Sequence, residues 1–235
     1  MLSIMSRAAN AIFAVVVAVV VSMRFGQSNL GKLVTVLITA AVVAVCEGLV
    51  VWAPKHSSRA RRLLDPRSIF AGVWIQDVVH VHGYEDAPTA KNRFAVFSLA
   101  YRQSTDDYAV EGTAYDEDGK EHARWQSVET AHFTKDGRSI TYLWEGTITD
   151  RTLGPGDPRR TGFARLLLSS DDGGRGRVEH IALDGILEFN VRRVTPRLLA
   201  EYDLAHFKPS ELRDPGLRDK FGAAFASRLK QLAPV

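Results

Sequence analysis

Few side chains in this sequence could do chemistry, and none falls into a catalytic pattern. His80 and His82 stand two apart in the alternating run GVWIQDVVHVHGY, so on a strand both imidazoles would face one side, a spacing that can share a metal ion. His122, His132 and His180 add no ligand spacing, and the one cysteine, Cys46, lies in an apolar run. Two ordinary strand histidines are the simpler reading, and neither a metal nor another cofactor is expected. Asp116, Glu117 and Asp118 lack the ligand pattern of a calcium loop and read as a solvated hairpin tip. The sequence has no P-loop, no Gly-x-Ser-x-Gly elbow and no His-Glu-x-x-His helix. No catalytic residue is assigned, and the chain does not read as an enzyme.

Aromatic placement says more. On alternating positions Trp74 shares a face with Gln76 and Val78, Trp125 with Ser127, and Tyr142 and Trp144 with Ile140, while Tyr101 closes the run RFAVFSLAYRQ. Rings turned into a lumen can stack on bases, and Gln, Ser and Arg can bond base edges or phosphates. Arg165 is flanked on its own face by Phe163 and Leu167; pointing inward, it would need an anion or carboxylate as partner. The expected ligand-binding set is therefore Trp74, Gln76, Tyr101, Trp125, Ser127, Tyr142, Trp144 and Arg165. Packing is the plain alternative for each ring.

The elements that must position these residues are strands. Eight short runs rich in β-branched and aromatic residues follow one another between Gly72 and Val194, the first opening GVWIQD and the last ILEFNVRRV. DEDGK (116–120), TKDGR (134–138) and DDGGRG (171–176) read as hairpin connections, and RTLGPGDPRR (151–160) as a longer loop. No helical pattern separates the strands, so they pair antiparallel, and eight in series can close into a small barrel that is either filled or holds one ligand. A two-sheet sandwich is the alternative. Past Pro196, PRLLAEYDLAHF reads as a short helix. Asp214–Pro215 then caps a second, with Leu217, Phe221, Ala224, Phe225 and Leu232 on its apolar face against the barrel or a membrane.

Ahead of this body the character changes. Leu33 to Trp52 is apolar apart from Glu47, long enough for a bilayer's hydrocarbon core at about 1.5 Å per residue. Ala8 to Met23 reads as a shorter first span, and the polar link RFGQSNLGK makes the two a hairpin. A cleaved signal peptide is disfavoured, because another full span begins about ten residues on. Lys55, Arg59, Arg61, Arg62 and Arg67 crowd the exit against Asp65 alone, which places both termini in the cytoplasm. That cluster outweighs the whole chain's net charge of +3, so the basic pI of about 9.1 belongs to the membrane-proximal linker and does not suggest a polymeric nucleic acid as partner. Glu47 either sits near the headgroups or faces another protomer, where Ala40, Ala41, Ala44 and Gly48 would permit close helix contact. The organisation expected is a transmembrane hairpin over 1–53, a basic linker over 54–67, a barrel over 68–195 and a helical tail over 196–235.

Two short spans, a basic linker and a strand-only domain reading GVWIQD, YAVEGTAYDEDG, ARWQS and SITYLWEG together resemble the two-transmembrane, β-barrel effectors of cyclic-oligonucleotide-based antiphage signalling (CBASS). The resemblance implies a lipocalin-like barrel at the bacterial inner membrane that receives a cyclic dinucleotide. It also implies homo-oligomerisation through the membrane segment and disruption of the bilayer. The competing expectations are a membrane-tethered carrier of a lipid or other small apolar ligand, and a scaffold whose barrel is solid.

Overall fold

The protein is described by a computed structural model over residues 15–23, 29–82, 94–134, 138–149, 159–170, 172–180 and 186–232. Its contacts divide it into two units, Met1–Ser68 and Ile69–Val235.

In the first unit residues 15–23 are helical, and helix α1 spans Asn29–His56. Its stretch Leu33–His56 is, among the described residues, the one helix long and apolar enough to cross a membrane. Of the first span expected over Ala8–Met23, residues 8–14 lie outside the described residues and the nine that are described are too few to cross a bilayer, so a two-span hairpin is not established. Thr35 and Thr39 donate their hydroxyl hydrogens to the carbonyls four residues back, each at 2.8 Å, which satisfies both hydroxyls inside an apolar helix. The basic stretch is itself helical: α2, Ser58–Leu64, is capped by the Ser57 hydroxyl. Arg61 of α2 turns back to donate to the carbonyls of Pro54 and Lys55, which the end of α1 leaves without helical partners.

The second unit is a barrel. Its strands are β1 (Gly72–His82), β2 (Phe94–Arg102), β3 (Asp107–Tyr115), β4 (Glu121–Ser127), β5 (His132–Phe133), β6 (Ser139–Ile148), β7 (Arg159–Ser170), β8 (Gly173–His180) and β9 (Ile186–Arg193). Each strand pairs antiparallel with its sequence neighbour, except that β4 pairs directly with β6, and β1 pairs with β9. Eight strands thus close on themselves, and the two-residue β5 lies along β6 at one rim. This is the barrel that the strand pattern predicts, and no edge is left for a sandwich.

Alternation divides the side chains cleanly. Trp74, Phe97, Val110, Tyr142, Leu166 and Phe189 belong to the inner core, while Val73, Ile75, Phe94, Val96 and Tyr115 face outward and are buried under the C-terminal segment. That segment begins with α3 (Pro196–Glu201), capped by Thr195, and ends with α4 (Pro215–Leu232). Asp214 caps α4 by accepting from the Leu217 amide at 3.0 Å, as the Asp-Pro pair predicts.

Three expectations need correction. The helix expected over PRLLAEYDLAHF stops at Glu201, and the chain turns there with Asp203 at positive φ. The buried face of α4 carries Arg218, Phe221, Gly222, Phe225 and Ala226, while Leu232 is exposed. The face is rotated because Arg218 finds acceptors there (Leu212 O, Arg213 O and Glu111) and because Gly222 admits the Tyr115 ring, which an added Cβ would meet at 2.6 Å. Finally, Arg159 and Arg160 belong to β7, and Gly173–Gly176 open β8 although their composition reads as a turn. Gly176 is needed in a strand because the Phe189 ring occupies the space its side chain would take, 2.1 Å from an added Cβ.

Candidate functional site: a cup at one end of the barrel

The interior is not uniform along the barrel axis. At the end where β1 begins, Phe70, Leu99, Tyr108, Ile140 and Leu168 fill it. Toward the opposite end the inward positions become small: Ala95 on β2, Ala114 on β3, Ala123 on β4 and Gly146 on β6. Between them lies a cavity of about 70 Å³, lined also by Gln76, Trp125, Tyr142, Trp144, Arg160 and Leu187.

A ladder of rings makes the floor of this cup. The Trp74 and Phe97 rings stack at 6.5 Å, Phe97 tilts against Trp125 at 5.9 Å, and Trp125 stacks on Tyr142 at 6.0 Å and 12°. Three glycines allow it, because Gly112 and Gly146 flank Trp125 and Gly162 flanks Trp144 in register. An added Cβ would meet the Trp125 indole at 2.6 Å from Gly112, the Trp144 indole at 2.7 Å from Gly162, and the Arg124 carbonyl and Trp125 Cβ at 2.8 and 3.0 Å from Gly146. The Trp74 indole is pinned by donating to the Phe70 carbonyl at 3.0 Å. Burial pushes the Tyr142 hydroxyl well above the ordinary tyrosine range, so it stays neutral.

One polar group stands out against these walls. Gln76 lies two residues beyond Trp74 on the inward face and is 7% exposed, yet its side-chain amide has no hydrogen-bond partner among the described residues. An amide that borders a cavity is placed to bond whatever enters it. Arg160, half-buried near the start of β7, brings a guanidinium to the same cavity and donates to the Arg159 carbonyl at 2.8 Å.

The residues expected to bind ligand therefore separate. Gln76, Trp125, Tyr142 and Trp144 meet at the cup. Trp74 belongs to the ring ladder of the floor but does not line the cavity. Ser127 is buried in a structural role, accepting from the Val110 amide at 3.2 Å and donating to the Glu129 carbonyl at 2.8 Å. Tyr101 lies near the filled end, where its hydroxyl donates to Asp106. The inward position expected for Arg165 does not hold. In β7 the inward residues are Gly162, Ala164, Leu166 and Leu168, and Arg165 stands outside with Nε 3.3 Å from the Ser139 hydroxyl. The bulk of Trp144 and Tyr142 on β6 decides this, because it leaves room for only Gly162 and Ala164 opposite. Arg160 was missed because its segment reads as a loop; counting back by twos from Leu166 would have placed it inward.

No protein-family model matches the chain, and no curated protein matches it.

Proposed function

We propose that the protein is a membrane-anchored receptor whose barrel binds a small ligand through a planar ring inserted at the cup. The observation that carries this reading is the Gln76 amide, which makes no hydrogen bond to a described residue and borders a cavity floored by stacked aromatic rings. An amide offers one donor pair and one acceptor, the complement of a heterocycle's edge, and flat rings accept any π-face. A nucleobase of a cyclic dinucleotide has this chemistry, which keeps the reading alongside the CBASS effectors the sequence resembles. Arg165 no longer supports it. A cavity of about 70 Å³ is far below the roughly 300 Å³ at which pockets for drug-sized ligands begin, so a whole dinucleotide would lie largely outside the cup. In this proposal binding favours an assembled state of the membrane helix, by no more than the ligand's difference in affinity for the two states.

The apolar walls favour a second reading, a tethered carrier of a small apolar molecule. Calorimetry of the full chain in neutral detergent against a panel of cyclic dinucleotides separates the two. Saturable heat with one of them, and no apolar molecule co-purifying in native mass spectrometry, is the expected result. No heat together with a co-purifying apolar ligand would establish the carrier instead.

A further inference from the structure

The C-terminal segment covers the outer face of β1 to β3, and the opposite side of the cylinder, β6 to β8, carries no such cover among the described residues of this unit. There Leu143, Phe163 and Leu167 are 43%, 46% and 51% exposed, and Val128, whose amide donates to the Leu143 carbonyl, extends the patch. Leu143 and Phe163 are register partners, and Leu167 follows on the same face of β7. Soluble surfaces rarely keep several large apolar side chains together without a partner for them.

Arginines gather at the Leu167 end of this patch, while Glu145 and Glu179 stand beside Leu143 and Phe163 at the other. Arg165 stands directly opposite Arg177, and Leu167 directly opposite Arg175. Like charges facing one another across a strand pair oppose folding, so their retention calls for an anion between them. Arg177 already has two carboxylates beside it: Glu179 pairs with it at 2.9 Å, and Glu188 stands directly opposite it on β9. Arg165 bonds only a hydroxyl, and Arg175 has no ion-pair partner among the described residues.

We infer that this face of the barrel docks on an anionic lipid surface, with Leu143, Phe163 and Leu167 entering the headgroup region and Arg165, Arg175 and Arg177 contacting lipid phosphates. A second copy of the chain fits less well, because a two-fold pairing would set these guanidinium groups against their own counterparts. The occupant is also close at hand: only fifteen residues, 57–71, separate the end of α1 from β1, so a bilayer holding α1 is present at high effective concentration. The inference rests on the membrane reading of α1, whereas the cup is independent of it.

The test uses the full chain carrying Cys46→Ser and Thr161→Cys, labelled with an environment-sensitive fluorophore and reconstituted into vesicles. Thr161 is exposed on the same face as Phe163 without belonging to the patch. With phosphatidylglycerol in the vesicles, the emission shifts to the blue and is quenched by spin-labelled lipid. In pure phosphatidylcholine it is not, and a label at Ser210, on the tail side, is unquenched in both. Arg165→Gln and Arg177→Gln each lower the ratio of docked to undocked barrel about fivefold. Leu143→Ser, which leaves the charges in place, lowers it as well. An unquenched label in anionic vesicles overturns the proposal, as does equal quenching in both lipids. Quenching that follows protein density instead of lipid composition points to a second copy and also overturns it. Alkaline carbonate extraction of the same vesicles reports separately on α1. A chain that washes out defeats the membrane reading and the docking together, whereas a retained chain with an unquenched label defeats only the docking.

Discussion

Gln76 is the residue on which the receptor reading turns, because nothing in the fold gains from its being polar. Leucine there would cover the cavity with hydrocarbon and break no hydrogen bond among the described residues. Gln76→Leu is therefore expected to keep the unfolding free energy within about 1 kcal/mol of wild type in a denaturant titration, while ligand affinity falls at least about tenfold. The tyrosines give a second test at this scale. Burial first, and then the neighbouring Asp219 carboxylate, raise the Tyr115 hydroxyl far above its ordinary range; burial alone does so for Tyr142. Both groups stay protonated in the folded protein when the unfolded chain would ionise them. Their contribution to stability is thus complete below about pH 10 and is lost as pH rises above it. Spectrophotometric titration should find that Tyr115 and Tyr142 do not ionise until the alkaline unfolding transition, so that Tyr115→Phe and Tyr142→Phe leave the titration below it unchanged; ionisation of either ahead of unfolding would contradict these environments.

At the scale of elements, α4 and β7 carry the lessons. Helix α4 is fastened to the barrel at several points: Phe225 against Phe94 and Tyr202, Arg218 to Glu111, and Asp219 to both Tyr115 and Arg124. Phe225 is fully buried, so Phe225→Ala should destabilise the protein by about 3–5 kcal/mol. Gly222→Ala should destabilise it by about 1–3 kcal/mol, since the new methyl group meets the Tyr115 ring. Chemical denaturation checks both, and a neutral Gly222→Ala would mean that α4 does not sit this close. The existence and order of the strands were legible because alternation and turn residues are local signals. The facing of β7 was not, because both of its faces are apolar enough to be buried. Its parity is set by Trp144 and Tyr142 on the neighbouring strand, a non-local fact that the alternation within FARLLL does not contain. The same holds for Gly176, whose glycine reads as a turn until Phe189 is known to lie across it.

For the whole molecule, the apolar helix, the basic stretch and the barrel were each legible, while the filled half of the lumen was not. Inward aromatics look alike in sequence whether they line a cavity or plug it, and only their packing separates Trp74 and Tyr101 from Trp125 and Trp144. If ligand binding assembles the membrane helix, Glu47, exposed on α1 beside Ala44 and Gly48, lies on the surface that meets a partner. Glu47→Gln should then reduce ligand-dependent dye leakage from vesicles while leaving ligand affinity unchanged, and unaltered leakage would remove Glu47 from the mechanism. The central claim, that ligand enters the cup, is tested most directly by comparing cyclic-dinucleotide binding to wild type, Gln76→Leu and Arg165→Gln in neutral detergent. The account predicts saturable binding that Gln76→Leu weakens at least about tenfold and Arg165→Gln leaves intact. Binding that depends on Arg165 and ignores Gln76, or no binding by any of them, would contradict it.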